Sequence, residues 1–243
     1  MTIFTPTLDR AEHLRMLYES LATQPCMDFE WIVVDGGSTD FTPSLMRQLM
    51  AQGRIEIKYL NASTPGECAA LAEAARTASG ELMFCVRPGQ FLPDEAVEQL
   101  RAEWKRSGHP DHGGLIGLDL NLSTMEPSGR RVAVIRTDLL RRVAPPERFE
   151  GEREPDMSVM EMVAADGHPL VSTEIAVTVT EDRTDGFETR PSAWKRFKAS
   201  PRTATAEMRM KKGLKDNPVF KTLWYSVCCA LMSVYVRTAT RRR

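Results

Sequence analysis

The sequence predicts an α/β fold, with a doubly wound, mainly parallel central sheet, flanking helices and an amphipathic C-terminal helix. Two observations carry this. Over residues 1–107, short β-branched and aromatic runs alternate four times with segments of helical period, and such alternation lays parallel strands side by side with crossover helices on their faces. The runs end in turn-forming residues, and in a sheet of this kind those turns share one crevice at the carboxyl ends of the strands. The 243 residues, 42% hydrophobic and 27% charged, are enough for a substantial core and exclude wholesale disorder.

The elements follow in order. Thr2-Ile3-Phe4 reads as a short strand, broken by Thr5-Pro6-Thr7, and Leu14, Leu17, Tyr18 and Leu21 then recur at helical spacing. Residues 29–34 (F-E-W-I-V-V) have the composition and length of a buried strand and end in Asp35-Gly36-Gly37-Ser38-Thr39-Asp40. A second helix is expected with Thr42 as N-cap and Pro43 at its first position. Residues 55–60 predict a strand, 66–78 an Ala-rich helix, 82–86 a strand, and the stretch from Pro93 a helix that aligns Val97, Leu100 and Trp104. From residue 108 the pattern is less regular. Strands are expected at 115–120 and 131–135, a helix at 157–165, and strand material over 169–179 with a break near Glu174.

Thr5-Pro6-Thr7-Leu8-Asp9-Arg10-Ala11, followed by the 28–40 segment that ends V-V-D-G-G-S-T-D, resembles the opening of the family 2 glycosyltransferases, with their P-T-Y-N-R and V-D-D-G-S-T-D signatures. Weaker similarity runs on through Phe91-Leu92-Pro93-Asp94, Arg136-Thr137-Asp138-Leu139-Leu140 and Phe149-Glu150-Gly151-Glu152, and so spans most of residues 1–185. The resemblance implies a GT-A type domain over 1–185, with a nucleotide-binding half (1–107) and an acceptor half (108–185) on one sheet. Residues 186–243 remain as a basic linker and amphipathic tail. It also implies inverting transfer of a sugar from a nucleotide-diphosphate donor, UDP by family habit, to a saccharide or glycolipid acceptor in cell-surface polysaccharide biosynthesis.

By the same resemblance Thr5, Pro6, Thr7, Asp9, Arg10, Asp35, Gly36 and Gly37 form the nucleotide site. The chemistry is reasonable on its own terms. A carboxylate at a strand end can accept a base N–H, and glycines let backbone approach a ligand closely. A surface turn in which Asp35 and Asp40 cap the next helix uses the same residues and stays open as an alternative. The segment Glu154-Pro155-Asp156, followed by a helix, resembles the family's P-E or E-D position, which makes Asp156 the candidate general base for the acceptor hydroxyl.

The departures are specific. Where the family places its metal-binding D-x-D, this chain reads Arg87-Pro88-Gly89-Gln90. Mg or Mn is implied by the resemblance but its usual ligands are absent, so no metal ligand is named. Either Arg87 stabilises the leaving diphosphate as a bidentate cation, or the chain is a catalytically silent scaffold or binding partner. Glu67 stands where a basic residue is common, and Ala72 where many relatives have Asn. Asp119 reads as an isolated structural carboxylate. His109-Pro110-Asp111-His112 reads as a solvent loop rather than a metal site.

Charge separates the tail from the body. Residues 190–243 hold 14 Lys/Arg against two acidic residues, net +12, which leaves 18 basic and 31 acidic residues, net −13, in residues 1–189. Residues 223–236 are nearly apolar all round and are bracketed by lysines and arginines, with Trp224 and Tyr235 near the edges. That run is shorter than the ~20 residues a spanning helix needs. It fits an interfacial anchor on an anionic membrane surface, with docking on the acidic body as the alternative. No aromatic platform is interleaved with the charges, so no nucleic-acid partner is expected. Five cysteines without zinc spacing, and no signal-like segment, lead to the expectation of a cytoplasmic protein, peripheral on the inner face of the cell membrane.

Overall fold

A computed structural model describes residues 1–64, 66–107, 111–143 and 155–180, with the side chains of 155–158 excepted. Its first half runs β1 (Thr2–Thr7), α1 (Ala11–Ala22), β2 (Glu30–Asp35), α2 (Thr42–Ala51), β3 (Glu56–Asn61), α3 (Glu67–Thr77), β4 (Leu82–Cys85), β5 (Gln90–Phe91) and α4 (Ala96–Ser107). The second half adds β6 (Gly114–Asn121), β7 (Pro127–Arg136), α5 (Thr137–Val143), α6 (Pro155–Ala165) and β8 (Leu170–Thr180). All eight described strands form one sheet in the order β3-β2-β1-β4-β7-β6-β8-β5.

β1, β2, β3 and β4 are mutually parallel, as the alternation predicts. The chain winds outward from β1 to β3 and then returns to β4 on the other side of β1, so the crossovers change direction between β1 and β4. Ligands of open α/β sheets bind beyond the carboxyl ends of the strands at this switch point. β7 then pairs antiparallel with β4 (Met83 opposite Ile135) and joins the second half to the same sheet.

Strand alternation sends successive side chains to opposite faces, and each face has its own core. On one, Ile3, Trp31 and Val33 pack with Leu14, Leu17, Tyr18 and Leu21 of α1, Met46 of α2 and Leu100 of α4. The rings of Tyr18 and Trp31 lie 6.3 Å apart and tilted. On the other, Phe4, Ile32 and Val34 meet Leu71 and Ala74 of α3, Leu139 and Leu140 of α5, and Val159 and Val163 of α6.

Several local expectations change. β1 continues through Pro6 to Thr7, because Pro6, half-buried, can sit in a strand where its missing N–H is not needed. Phe41, not Thr42, caps α2; the Thr42 N–H is taken instead by Asp40 Oδ1 at 2.8 Å. β8 is continuous through Glu174 and absorbs the irregularity as register shifts against β6 around Ile116 and Leu118. The predicted C-terminal helix and the 186–243 tail lie outside the described residues.

Candidate functional site

Thr7 and Asp35 are register partners at the carboxyl ends of β1 and β2, on the face shared with Trp31 and Val33. Asp35 is 1% exposed. Its Oδ1 accepts from Gly37 N (3.1 Å), Ser38 N (2.8 Å) and Ser38 Oγ (2.6 Å), and its Oδ2 accepts the hydroxyl of Tyr59. Burial pushes the Tyr59 hydroxyl well above its usual value, and the bond to the Asp35 carboxylate adds to the rise. A carboxylate oxygen has about two lone-pair sites, so Oδ1 is fully engaged and Oδ2 keeps room for one more donor. The Thr7 hydroxyl beside it is buried without a hydrogen-bond partner, the state of a group that a ligand completes.

The two loops that follow these strands are braced together. Asp9, at φ 52°, accepts on Oδ1 from Thr39 N (2.7 Å) and Asp40 N (3.1 Å), while its own N–H donates to Ser38 Oγ (2.8 Å). Asp40 returns the contact by accepting from Ala11 N at the start of α1 (3.2 Å). Burial works to raise the Asp40 carboxyl, but hydrogen bonds from Thr42 and Ala11 outweigh it and hold it below its usual value. The D-G-G-S-T-D segment therefore does cap neighbouring backbone, and in doing so fixes the loop pair around Asp35. Gly37, at φ 98°, adopts a backbone that L-residues rarely take.

Arg87 follows β4, on the far side of the switch point. Its Nη2 lies 2.8 Å from Glu67 Oε1, the side chains being 24% and 22% exposed. The two atoms are misaligned for a hydrogen bond, so the contact is Coulombic rather than directed. The Arg87 backbone is held separately, since its N–H donates to Gln90 Oε1 at 2.9 Å. Gln90 is buried and donates from Nε2 to Thr180 Oγ1 at 3.1 Å. Behind it stands Asp119, wholly buried, which accepts from Thr178 Oγ1 (2.6 Å), Thr180 Oγ1 (2.7 Å) and Ser128 Oγ (2.7 Å). Asp119 is therefore not isolated; it is the hub that ties β6, β7 and β8 to the 87–90 loop.

Among the described residues the loop after β4 does not offer a divalent cation a set of ligands. The loop after β4 reads Arg87-Pro88-Gly89-Gln90 and carries no carboxylate, the Gln90 amide is turned into the sheet, and Glu67 lies against Arg87. Among the described residues no three His, Cys, Asp or Glu side chains group to hold a metal.

The structure thus brings Thr7, Asp9, Asp35, Gly36 and Gly37 together in one loop pair, with Arg10 at the N-cap of α1 beside it and Arg87 across the switch point. Thr5 differs from the expectation. Its hydroxyl accepts from Trp31 Nε1 (2.9 Å) and donates to the Val86 carbonyl (2.8 Å), so it supports the site from inside the core. Pro6 is part of β1. Asp156 lies in the first turn of α6, and its side chain is outside the described residues. Sequence reasoning did not anticipate Tyr59 or Gln90 as site groups. For Gln90 the signal was available in its place in the loop directly after β4.

The eight described strands, in one mixed sheet with its parallel switch point between β1 and β4, make a GT-A type α/β fold. Residues 2–110 match the model of glycosyl transferase family 2, the part that carries both loops, Glu67 and Arg87. Among solved structures the chain is similar to the mannosyltransferase PcManGT from Pyrobaculum calidifontis in complex with GDP-Man and Mn2+ (18% identity, 98% of this chain and 82% of that one, TM-score 0.63). It is also similar to S. aureus TarS 1-349 in complex with UDP (18% identity, 74% and 60%, TM-score 0.58). Glucosyl-3-phosphoglycerate synthase from Mycobacterium tuberculosis, in complex with Mn2+, UDP and phosphoglyceric acid, shares the fold at 15% identity over 89% and 79% of the chains, TM-score 0.51. The alignment takes in only 36% of the longer TarS chain. No curated protein sequence matches.

Proposed function

We propose that this chain is a family 2-like inverting glycosyltransferase that moves a sugar from a nucleotide-diphosphate donor, UDP by preference, to a saccharide or glycolipid acceptor. The observation that carries the reading is the convergence at one switch point of an incompletely satisfied Asp35–Thr7 pair and a cation, Arg87. In this reading Asp35 Oδ2 accepts the base N–H and the Thr7 hydroxyl completes the base contact. Asp9 keeps the two loops in register, Arg10 and the Gly36-Gly37 backbone border the nucleotide, and Arg87 stabilises charge on the leaving diphosphate. Asp156 takes the proton of the acceptor hydroxyl.

The basic tail supports a place at an anionic membrane surface on the cytoplasmic side and, with it, a role in cell-surface polysaccharide assembly. No helix among the described residues is long and apolar enough to cross a membrane. If deletion of residues 217–243 leaves the protein on membranes, the anchor assignment falls.

Binding and turnover of UDP-, GDP- and dTDP-sugars, each with Mn, with Mg and with EDTA, test the donor reading. UDP-sugar turnover that survives EDTA and is lost in Arg87→Ala is the expected result. A second reading has its own observation, since Arg87 is already paired to Glu67 and the D-x-D carboxylates are gone. In that reading the chain is a silent scaffold, and absence of donor binding under every condition would establish it over the first.

A further inference from the structure

We infer that a cleft at the end of the sheet opposite the nucleotide crevice is a second anion site, which holds a phosphate monoester with Lys105 and Arg141 as its cationic ligands. The cleft has a volume of about 890 Å³ and lies where β1 and β4 begin and β7 ends, with Glu81, Arg101, Lys105, Arg136, Asp138 and Arg141 along its walls. Four cations thus stand against two carboxylates, in a body whose net charge is −13. Two of the cations are already neutralised. Arg136 is paired with Asp138 at 2.6 Å and Arg101 with Asp28 at 2.5 Å, while Glu81 accepts the indole N–H of Trp104 at 2.8 Å.

Arg141 and Lys105 have no carboxylate partner among the described residues. The Arg141 guanidinium is nonetheless fixed, because Nε donates to the Ala75 carbonyl at 2.8 Å and Nη2 to the Ala78 carbonyl at 2.5 Å, at the C-terminal end of α3. These partners are neutral and use two of the five N–H donors of a guanidinium. The group therefore keeps its charge and most of its fork, and has already lost the rotamer freedom that binding a ligand costs. Lys105, exposed in the last turn of α4, makes no hydrogen bond or ion pair with the described residues and adds a rotatable ammonium. A phosphate monoester matches this pair, since it carries close to two negative charges at neutral pH and takes an arginine fork bidentately. A carboxylate brings one charge only, which Glu81 opposes. The cleft is of the size that holds small molecules, so the body of the ligand has room beside Trp104. The inference is independent of the donor reading, because the crevice lies at the carboxyl ends of β1 and β2 and this cleft at the amino ends.

The test is calorimetric titration of the full chain with inorganic phosphate, using wild type, Lys105→Gln, Arg141→Gln and Arg87→Gln, each checked for folding by thermal melting and each repeated with UDP present. Wild type is expected to bind phosphate whether or not UDP is there. Lys105→Gln should bind about tenfold more weakly, the loss of one charge-assisted hydrogen bond, and Arg141→Gln should lose the site. Arg87→Gln should retain it at wild-type affinity. Arg141→Gln also removes a cap from α3 and should melt lower, whereas Lys105→Gln breaks no contact and decides the matter if Arg141→Gln does not fold. A purely structural Arg141 predicts lower melting in Arg141→Gln and wild-type phosphate affinity in Lys105→Gln. That result overturns the inference, as does absence of phosphate binding by wild type, or its loss in Arg87→Gln or on addition of UDP. Sedimentation with phosphatidic acid vesicles identifies the source of the phosphate. Vesicle binding that Lys105→Gln weakens in step with phosphate affinity assigns a lipid headgroup, and vesicle binding that is absent or unchanged by it assigns a free phosphate compound.

Discussion

Gln90, buried in the sheet, accepts the backbone N–H of Arg87 on its side-chain oxygen at 2.9 Å. Its amide nitrogen faces the opposite way, toward Thr180 Oγ1 at 3.1 Å and the Asp119 carboxylate at 3.5 Å. The loop after β4 is thus held by a neutral amide that needs both of its polar ends.

An acid at this position should therefore be poorly tolerated. Gln90→Asp removes the donor to Thr180 and brings a second carboxylate toward buried Asp119, where like charges repel. We expect a loss of about 2 kcal/mol or more of stability in urea denaturation, with no gain of Mn dependence. A folded, Mn-requiring Gln90→Asp variant would contradict the account of this loop.

Gly36 and Gly37 should respond differently to alanine. A Cβ on Gly36 meets only ordinary contacts, 3.5 Å from the Thr7 carbonyl oxygen and 3.8 Å from the Leu8 side chain, whereas Gly37 has open space around it but a φ of +98°. Gly37→Ala is expected to cost roughly 1–2 kcal/mol through backbone strain, and Gly36→Ala to be within about 0.5 kcal/mol of wild type or slightly stabilising. Equal melting shifts for the two would show that the turn is not held as described.

Tyr59→Phe isolates the second acceptor atom of Asp35. It removes the phenol bond to Oδ2 and should destabilise the fold by about 1 kcal/mol. Nucleotide affinity should fall as well, because the carboxylate loses the group that orients it. An unchanged dissociation constant for UDP in a protein with the expected drop in stability would detach Asp35 from base recognition.

At the opposite end of the sheet, Glu30 provides a pH signature. Burial tends to raise its carboxyl, but Lys58 Nζ at 2.6 Å, the Thr2 hydroxyl at 2.6 Å and the Ser79 N–H at 2.6 Å outweigh it and hold it at about 2, against an ordinary 4.5. A depressed carboxyl stabilises the fold above its unfolded value, and that contribution disappears as pH falls from about 4.5 toward about 2. Wild type should lose on the order of 2–3 kcal/mol across this window from Glu30 alone. Glu30→Gln should be less stable at pH 7 and show a flatter acid limb in denaturation measured at several pH values.

The first four strands were legible because each is an apolar run ended by turn chemistry, and buried parallel strands carry that signal most strongly. The second half was less so for physical reasons. The first five residues of β7 are exposed, so apolarity marked only its inner end, and β5 has two residues, too few for any period. Glu174 suggested a break in β8; the strand runs on through it, and the irregularity at that place is a shift of register against β6 between Ser172 and Ala176. In the site, the 5–11 and 35–40 motifs lie in contiguous sequence and were readable. Asp119 read as isolated because its partners Ser128, Thr178 and Thr180 are 9, 59 and 61 residues away. Glu67 and Arg87 were each noticed as departures, and only the fold shows that the two opposite charges meet.

The pairing of β5 with β8, Gln90 against Thr180 and Phe91 against Val179, sets an order of events during synthesis. The four parallel strands and their helices are complete in the nascent chain well before β8 has been translated, and can condense as a unit. The 87–90 loop receives its last clamp only when residue 180 has emerged and its hydroxyl reaches the Gln90 amide. A truncated chain that stops before β8 would then carry the braced loops after β1 and β2 beside a Gln90 amide without its Thr180 partner, so the half that first looks finished on the ribosome is the one completed last.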